Sequence, residues 1–341
     1  MKNLIVHHTD ADGYCAAAVA YYKILGDAGS IVIPDKVKCS FIPYNYGMEF
    51  PEISNGDMNE LENVFFLDVS MSNDLYKIIK HFVDAGKNIV HIDHHKTTME
   101  YLNENPNDEL LKKITHFYVN GISGCMLTWI YSILLMHNLP ISEDSFELNR
   151  DAQKLKIKSY EVDIVIPYGI TLIDDNDVWR HHYADSKLFA LAYSAIDKKD
   201  LDITSEFWNS LVTSYRPYRV TDMIKEGYSV NRYKESSNKK LISGNAFEYD
   251  IPYNENGKDK VAKCLCVNSC EGNSLLFGDE IDNYDAVVKF GFNGKLKKWI
   301  YSIYSSKNDI DVSAIAKTYG GGGHKGAAGF QTKDFFFKFD N

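Results

Sequence analysis

The chain has 341 residues, of which 45% are hydrophobic and 25% charged, a globular composition that excludes intrinsic disorder and suffices for two domains with cores of their own. Its formal net charge of −10 excludes the coating of long duplexes by a basic surface, because that mode needs many Lys and Arg contacts to phosphate. No stretch approaches the roughly 20 apolar residues of a membrane span, and six cysteines without an export signal predict a reducing, cytoplasmic setting rather than a disulfide framework.

The first half alternates strand-like and helical runs. A strand is expected over Asn3 to His7, a helix over Gly13 to Leu25, a strand over Val64 to Asp68, a helix over Asn73 to Ala85 and a strand over Asn88 to Asp93. Leu75, Ile78, Ile79, Phe82 and Val83 carry the spacing of a helix with one buried face. The apolar segment Cys125 to Met136, inside a helix expected over about Gly121 to His137, is read as buried. Alternation of this kind predicts a doubly wound α/β domain with a mainly parallel sheet, assigned to residues 1–196.

Residues 197–243 are expected to form a partly helical linker, with ESSNKK (Glu235 to Lys240) as its most linker-like stretch. A smaller α/β domain is expected over 244–335, with a cleft between the two. It has strands at Val261 to Val267, Ala286 to Phe290 and Trp299 to Tyr304, a helix over Val312 to Tyr319, and then GGGGHKGAAGF. Cys264 and Cys266 fit one face of the first of these strands, and with Cys270 they lack the paired spacing of a zinc site. Scattered tyrosines, His181/His182 and Asp282/Asp285 are read as ordinary core or solvated surface.

In parallel sheets of this kind ligands gather at the carboxyl ends of the strands, and there the polar clusters fall. HHTDADG closes the first strand, Asp68 the second, and Asp93, His94 and His95 the third. One aspartate there could simply cap the following helix. Capping does not cover three distant strand ends that each finish in Asp or His, and isolated buried carboxylates are too costly without paired charge or metal. His8, Asp10 and Asp12 at alternate positions can fan around one point, a mixed imidazole and carboxylate set that suits Mn²⁺ and also tolerates Fe²⁺, Co²⁺ or Mg²⁺.

H-x-D-x-D-G at His8 to Gly13, the lone Asp in FFLDVS, HIDHH, an Asp in LIDDNDVW and GGGGHKGAAGF together resemble the DHH phosphoesterase superfamily with its glycine-rich C-terminal substrate domain, as in nanoRNases and RecJ-like exonucleases. The motifs run in the family's order along nearly the whole chain. The resemblance implies two divalent ions, Mn²⁺ by preference. His8 and Asp10 would hold one, Asp12 and His94 the other, and Asp68 would bridge both. Asp175 is the expected fourth-motif carboxylate, two residues before the Asp of the D-x-W element, with Asp174 as its rival. Asp93 would orient a neighbouring histidine, and His95 would face the substrate phosphate, so that Asp68, Asp93 and His95 form the catalytic group. Gly321, Gly322 and Gly323 would let backbone N–H groups approach a phosphate, with His324 and Lys325 as further donors. In one departure Ser305 stands where relatives carry an arginine; Lys307 is nearby but binds as a point charge without a planar fork.

The expected activity is two-metal phosphodiester hydrolysis, in which paired ions stabilise both attacking and leaving oxygens. The expected substrates are short single-stranded oligonucleotides cut to mononucleotides, together with linear dinucleotides or nucleoside bisphosphates, and a homodimer is among the expected assemblies. The alternatives are a pyrophosphatase or polyphosphatase, whose branch lacks the GGGGH domain, and a catalytically silent nucleotide sensor.

Overall fold

The computed structural model describes residues 3–26, 38–45, 47–197, 201–214 and 218–339. The chain divides into two compact units, Met1–Val230 and Asn231–Asn341. Among the described residues no helix is long and apolar enough to cross a membrane.

The first unit is built on β1 (Asn3–His7), α1 (Ala11–Val19), β2 (Cys39–Pro43), α2 (Asn55–Glu60), β3 (Asn63–Leu67), α3 (Asn73–Asp84), β4 (Asn88–Asp93), α4 (Lys96–Glu104), β5 (Thr115–Tyr118) and α5 (Gly124–Met136). The five strands form one parallel sheet in the order β2-β1-β3-β4-β5. Successive side chains on a strand point to opposite faces, and here both faces are buried. Ile5, Phe65, Leu67 and Ile92 join the core shared with α1 and α5, while Leu4, Val6, Val64 and Phe66 join the core shared with α3. This is the expected doubly wound parallel sheet covered on both sides. The segment from Cys125 is buried nearly all round, as expected for an apolar helix with no polar stripe.

A three-stranded antiparallel sheet follows, from β6 (Phe146–Asn149), β7 (Lys154–Ile157) and β8 (Val162–Val165). Four helices come next: α6 (Tyr168–Asp177), α7 (Ala184–Ala195), α8 (Glu206–Thr213) and α9 (Tyr218–Asn245). One expectation needs correction. The first helix starts at Ala11, because the Asp10 carboxylate caps it by accepting from Gly13 N, and it opens into wide π turns over Ala20–Leu25. ESSNKK is helical, lying inside α9; it contains no Gly or Pro, and polar residues on an exposed helix face weaken the helix without breaking it. Asn231 and Glu235, one turn apart, join through a 2.9 Å hydrogen bond.

The second unit contains β9 (Phe247–Glu255), β10 (Lys258–Asn268), β11 (Ala286–Asn293), β12 (Lys298–Tyr304), α10 (Val312–Thr318), β13 (Gly322–His324) and β14 (Ala327–Thr332). Its six strands order as β13-β14-β12-β11-β10-β9, with β10 and β11 parallel and the other pairs antiparallel. Cys264 and Cys266 bury one face of β10 in its core. Burial pushes the Cys264 thiol up to about 12.

Candidate metal centre

The strand order sets β1, β3 and β4 side by side, so their carboxyl ends bring the three polar motifs to one edge of the sheet. Asp68 follows β3 in the left-handed region at φ 59°, where a short polar side chain is tolerated better than a bulky one. This twist leaves its carboxylate buried, with neither oxygen accepting a hydrogen bond. Imidazoles surround it. His94 Nε2 lies 3.2 Å from Oδ1, His95 Nδ1 3.8 Å from Oδ1 and His8 Nδ1 3.8 Å from Oδ2.

Three overlapping groups among the described residues place their ligand-type atoms within 4.8 Å of one another: His8, Asp10 and Asp68; Asp12, His94 and Asp177; Asp68, His94 and His95. His8, Asp10, Asp12, Asp68 and His94 thus come together. Asp175 does not join them. Its buried carboxylate accepts backbone N–H groups of His182 at 3.0 Å and Tyr183 at 3.1 Å, a set of bonds that commits both oxygens to building the next loop. Asp174 is committed elsewhere too, accepting from Ser123 N at 2.9 Å and Arg150 Nε at 2.8 Å. Asp177 takes the place instead, with Oδ2 buried, unbonded and 3.5 Å from His94 Nε2.

One reason is helical spacing. Residues three apart share a face of a helix, whereas neighbours diverge by about 100°; on α6, Asp174 and Asp177 therefore share a face, while Asp175, as buried as Asp174, turns toward the loop whose N–H groups it accepts. Counting along α6 separates Asp175 from the other two; between those, the bonds of Asp174 to Ser123 and Arg150 leave Asp177 facing His94.

Asp12 is held by the start of α5. Its two oxygens accept Gly124 N at 2.6 Å and Cys125 N at 2.9 Å, an arrangement favoured by the partial positive charge of a helix N-terminus. Position 124 has to be glycine, since a Cβ there would stand 2.6 Å from Asp68 Cβ and 3.0 Å from Asp12 Oδ2. Asp93 accepts His95 Nδ1 at 2.7 Å and the Thr98 hydroxyl, so the histidine it orients is His95. Asn45, which no motif announced, meets His8 Nε2 at 3.3 Å, while His8 Nδ1 meets Asp10 Oδ2 at 2.7 Å.

The charges are unbalanced as they stand. Burial first, and then the charges of Asp12, Asp10, Asp177 and Asp93, push the Asp68 carboxyl well above the usual range. Burial, followed by Asp12, Asp10, Asp174 and Asp93, pushes Asp177 up to about 9. For His8 and His95 burial works downward but is outweighed by the paired Asp10 and Asp93, and both are raised. The unbonded buried oxygens of Asp68 and Asp177, with the His94 imidazole beside both, are of the mixed oxygen and nitrogen type that divalent cations accept. The residues present fit such ions. His8, Asp10, Asp12, Asp68, His94 and Asp177 would hold them.

In the second unit Gly320 and Gly323 adopt positive φ, 78° and 145°, but Gly322–His324 is a short strand paired with β14 rather than an open loop. A cavity of about 570 Å³ is lined there by Tyr301, Ser302, Gly321, Gly322 and Gly329 among others; His324 and Lys325 are exposed outside that lining. Ser305 donates to the Asp285 carbonyl at 2.7 Å, and Lys307 Nζ lies 3.3 Å from the Asp285 carboxylate.

No family model matches the chain. It is 22% identical over 333 residues to the uncharacterized protein R106 of Acanthamoeba polyphaga mimivirus, covering 96% of this chain and 66% of that protein's length. Among solved structures it is similar to the pGpG-specific phosphodiesterase PggH of Vibrio cholerae (13% identity, 97% of this chain and 93% of that one, TM-score 0.44). It is also similar to RecJ of Thermus thermophilus in complex with Mn²⁺ (12%, 96% and 49%, TM-score 0.43), and to an exopolyphosphatase-related protein of Bacteroides fragilis (12%, 99% and 88%, TM-score 0.42). These are distant likenesses of chain trace and do not by themselves identify a reaction.

Proposed function

We propose that the chain is a divalent-cation-dependent phosphoesterase that hydrolyses phosphodiester bonds in short oligonucleotides or linear dinucleotides. The observation that carries this reading is the buried Asp68 carboxylate, with both oxygens unbonded and the imidazoles of His8, His94 and His95 turned toward it. A structural carboxylate at such depth would accept hydrogen bonds; a cation ligand need not.

Bound cations would supply the positive charge that draws a phosphate into an acidic site and lowers the pKa of an attacking water. The chain's own residues do the rest. Asp68, which belongs to two of the three candidate groups, would be the ligand they share. Asp12 is fixed by two N–H groups of α5 before any ion arrives, which reduces the ordering cost of binding. Asp93 fixes the His95 ring through Nδ1, leaving Nε2 as the atom that meets a phosphate oxygen and, with the raised proton affinity of this imidazole, the one that donates to it. We assign Gly321, Gly322, Gly323, His324 and Lys325 to substrate contact, supported by the positive φ of Gly323 and the cavity lined by Gly321 and Gly322, whose volume suits a small ligand rather than a long strand. Manganese is the proposed ion, the cytoplasm the proposed compartment.

The test is hydrolysis of 5′-labelled RNA and DNA from dinucleotides to about twenty nucleotides, a range set by the few residues such a pocket can bury, beside pyrophosphate and polyphosphate. Release of mononucleotides from the shortest species is the expected result. Turnover of pyrophosphate or polyphosphate alone would transfer the assignment to those substrates, and binding without turnover would favour a sensor.

A further inference from the structure

Trp179 has no part in the metal centre as described, yet it follows Asp177 by two residues, within about 7 Å along the chain. The residue is 69% exposed, whereas Trp129 and Trp208 are buried. Its backbone lies in the left-handed region at φ 55°, and His181 repeats this at φ 49°, a conformation in which bulky L residues are outliers. Asp175 holds the segment in that shape. Its carbonyl accepts Arg180 N at 3.1 Å and His181 N at 3.3 Å, and its carboxylate accepts His182 N and Tyr183 N.

The loop is therefore tightly built from a buried anchor, and its largest apolar ring is turned to solvent, where it adds nothing to the core. Strain that packing does not repay points to a role at the site it borders. The His181 ring stands edge-on to the indole, 5.1 Å between centroids at 85°, leaving an L-shaped aromatic corner. Around it lie polar groups, with Arg180 bonded to Asp151 at 2.8 Å, so the ring is isolated and too small to dock a protein surface. A single exposed indole face two residues along the chain from the candidate cation ligand Asp177 matches one flat heterocycle.

We propose that Trp179 is a stacking platform for a nucleobase of the substrate, built by Asp175 and placed beside the phosphate handled at Asp177. This deepens the phosphodiesterase reading and rests on it for the identity of the substrate. Every base has a π-face, so the platform grips a nucleotide without reading its sequence.

The test is the indole fluorescence of the full chain in MgCl₂, excited at the red edge of tryptophan absorption. Adenosine monophosphate should quench it, ribose 5-phosphate should not, and Trp179→Phe should abolish the quench. Trp179→Ala should raise KM for a dinucleotide by about ten- to a hundred-fold, the range that loss of one base stack commands; the residue is exposed, so the variant keeps its fold. Absence of quenching, equal quenching by ribose 5-phosphate, persistence in Trp179→Phe, or an unchanged KM would each overturn the proposal. Localised quenching by a chain that hydrolyses no dinucleotide would sink the phosphodiesterase reading and leave the base platform standing.

Discussion

Asp68 Oδ1 and His94 Nε2 face each other across 3.2 Å at an angle that makes no hydrogen bond. Two groups that could satisfy each other and do not are both aimed at a third position. A cation at that position would join them; without one the fold carries a buried carboxylate among like charges, a cost the rest of the unit must offset.

An inversion of the usual mutational sign follows. Asp68→Asn keeps shape and removes the charge, so the metal-stripped variant should be more stable than the metal-stripped parent, by about 1–3 kcal/mol. The same variant should lose the gain in stability that Mn²⁺ gives the parent. Thermal unfolding with and without MnCl₂ measures both, and a stripped Asp68→Asn protein less stable than its parent would count against the charge argument.

Asp177 and Asp175 should separate cleanly. Asp177→Asn should weaken Mn²⁺ binding at least tenfold with little loss of stability. Asp175→Asn should do the opposite, because an amide presents N–H to one of the two donors it now serves, costing about 1–3 kcal/mol while Mn²⁺ affinity changes less than about threefold, or 0.7 kcal/mol. Calorimetry and denaturant unfolding of the two variants decide which aspartate is the ligand.

Gly124→Ala adds one methyl where a Cβ would meet Asp68 Cβ at 2.6 Å and Asp12 Oδ2 at 3.0 Å. Displacing α5 from either carboxylate costs about 1–3 kcal/mol of overpacking and misplaces two candidate ligands, so Mn²⁺ affinity should fall together with stability. Undiminished affinity would show that this contact does not shape the centre.

His91 sets a pH dependence apart from the ligands. It is fully buried, Nε2–H donates to Val69 O at 2.8 Å, and Nδ1 accepts from the Tyr118 hydroxyl at 2.7 Å. Burial above all lowers its proton affinity, against the opposing Asp93 charge and the Val69 bond. A base whose folded pKa lies below its unfolded one leaves stability unaffected above the unfolded value, about 6.5, and destabilises the fold as pH drops below it. Urea midpoints should therefore fall between about pH 7.5 and 5.5, and His91→Gln, whatever its own stability, should reduce that slope. An unchanged slope would assign the acid sensitivity to other groups.

Much of the first unit was legible because short continuous apolar runs ending in Asp or His, alternating with helical runs, mark doubly covered parallel strands and their carboxyl edge. Leu4 and Ile5 already alternate between two cores. What stayed hidden depended on rotation and on distant partners. Helical phase sets Asp175 apart from Asp174 and Asp177, but the bonds of Asp174 to Ser123 and Arg150, the role of Asn45 at His8 and that of Gly124 beneath Asp68 arise from segments brought together only by the fold. ESSNKK, in the stretch expected to be partly helical, owes its polarity to solvent exposure along α9. The glycine run suggests phosphate-facing N–H groups and gives no sign of its pairing with β14; a Cβ on Gly323 would stand 2.5 Å from Ala328 Cα, so this close backbone approach needs glycine.

The central claim is that the Asp68 cluster is a cation centre, and calorimetric titration of the metal-stripped chain with MnCl₂ tests it most directly. Saturable binding of a pair of ions, abolished or reduced to one weak ion in Asp68→Ala, is the result predicted for a shared ligand in a two-metal site. A parent chain that binds no Mn²⁺ at millimolar concentration, or an Asp68→Ala variant that binds as the parent does, would contradict it.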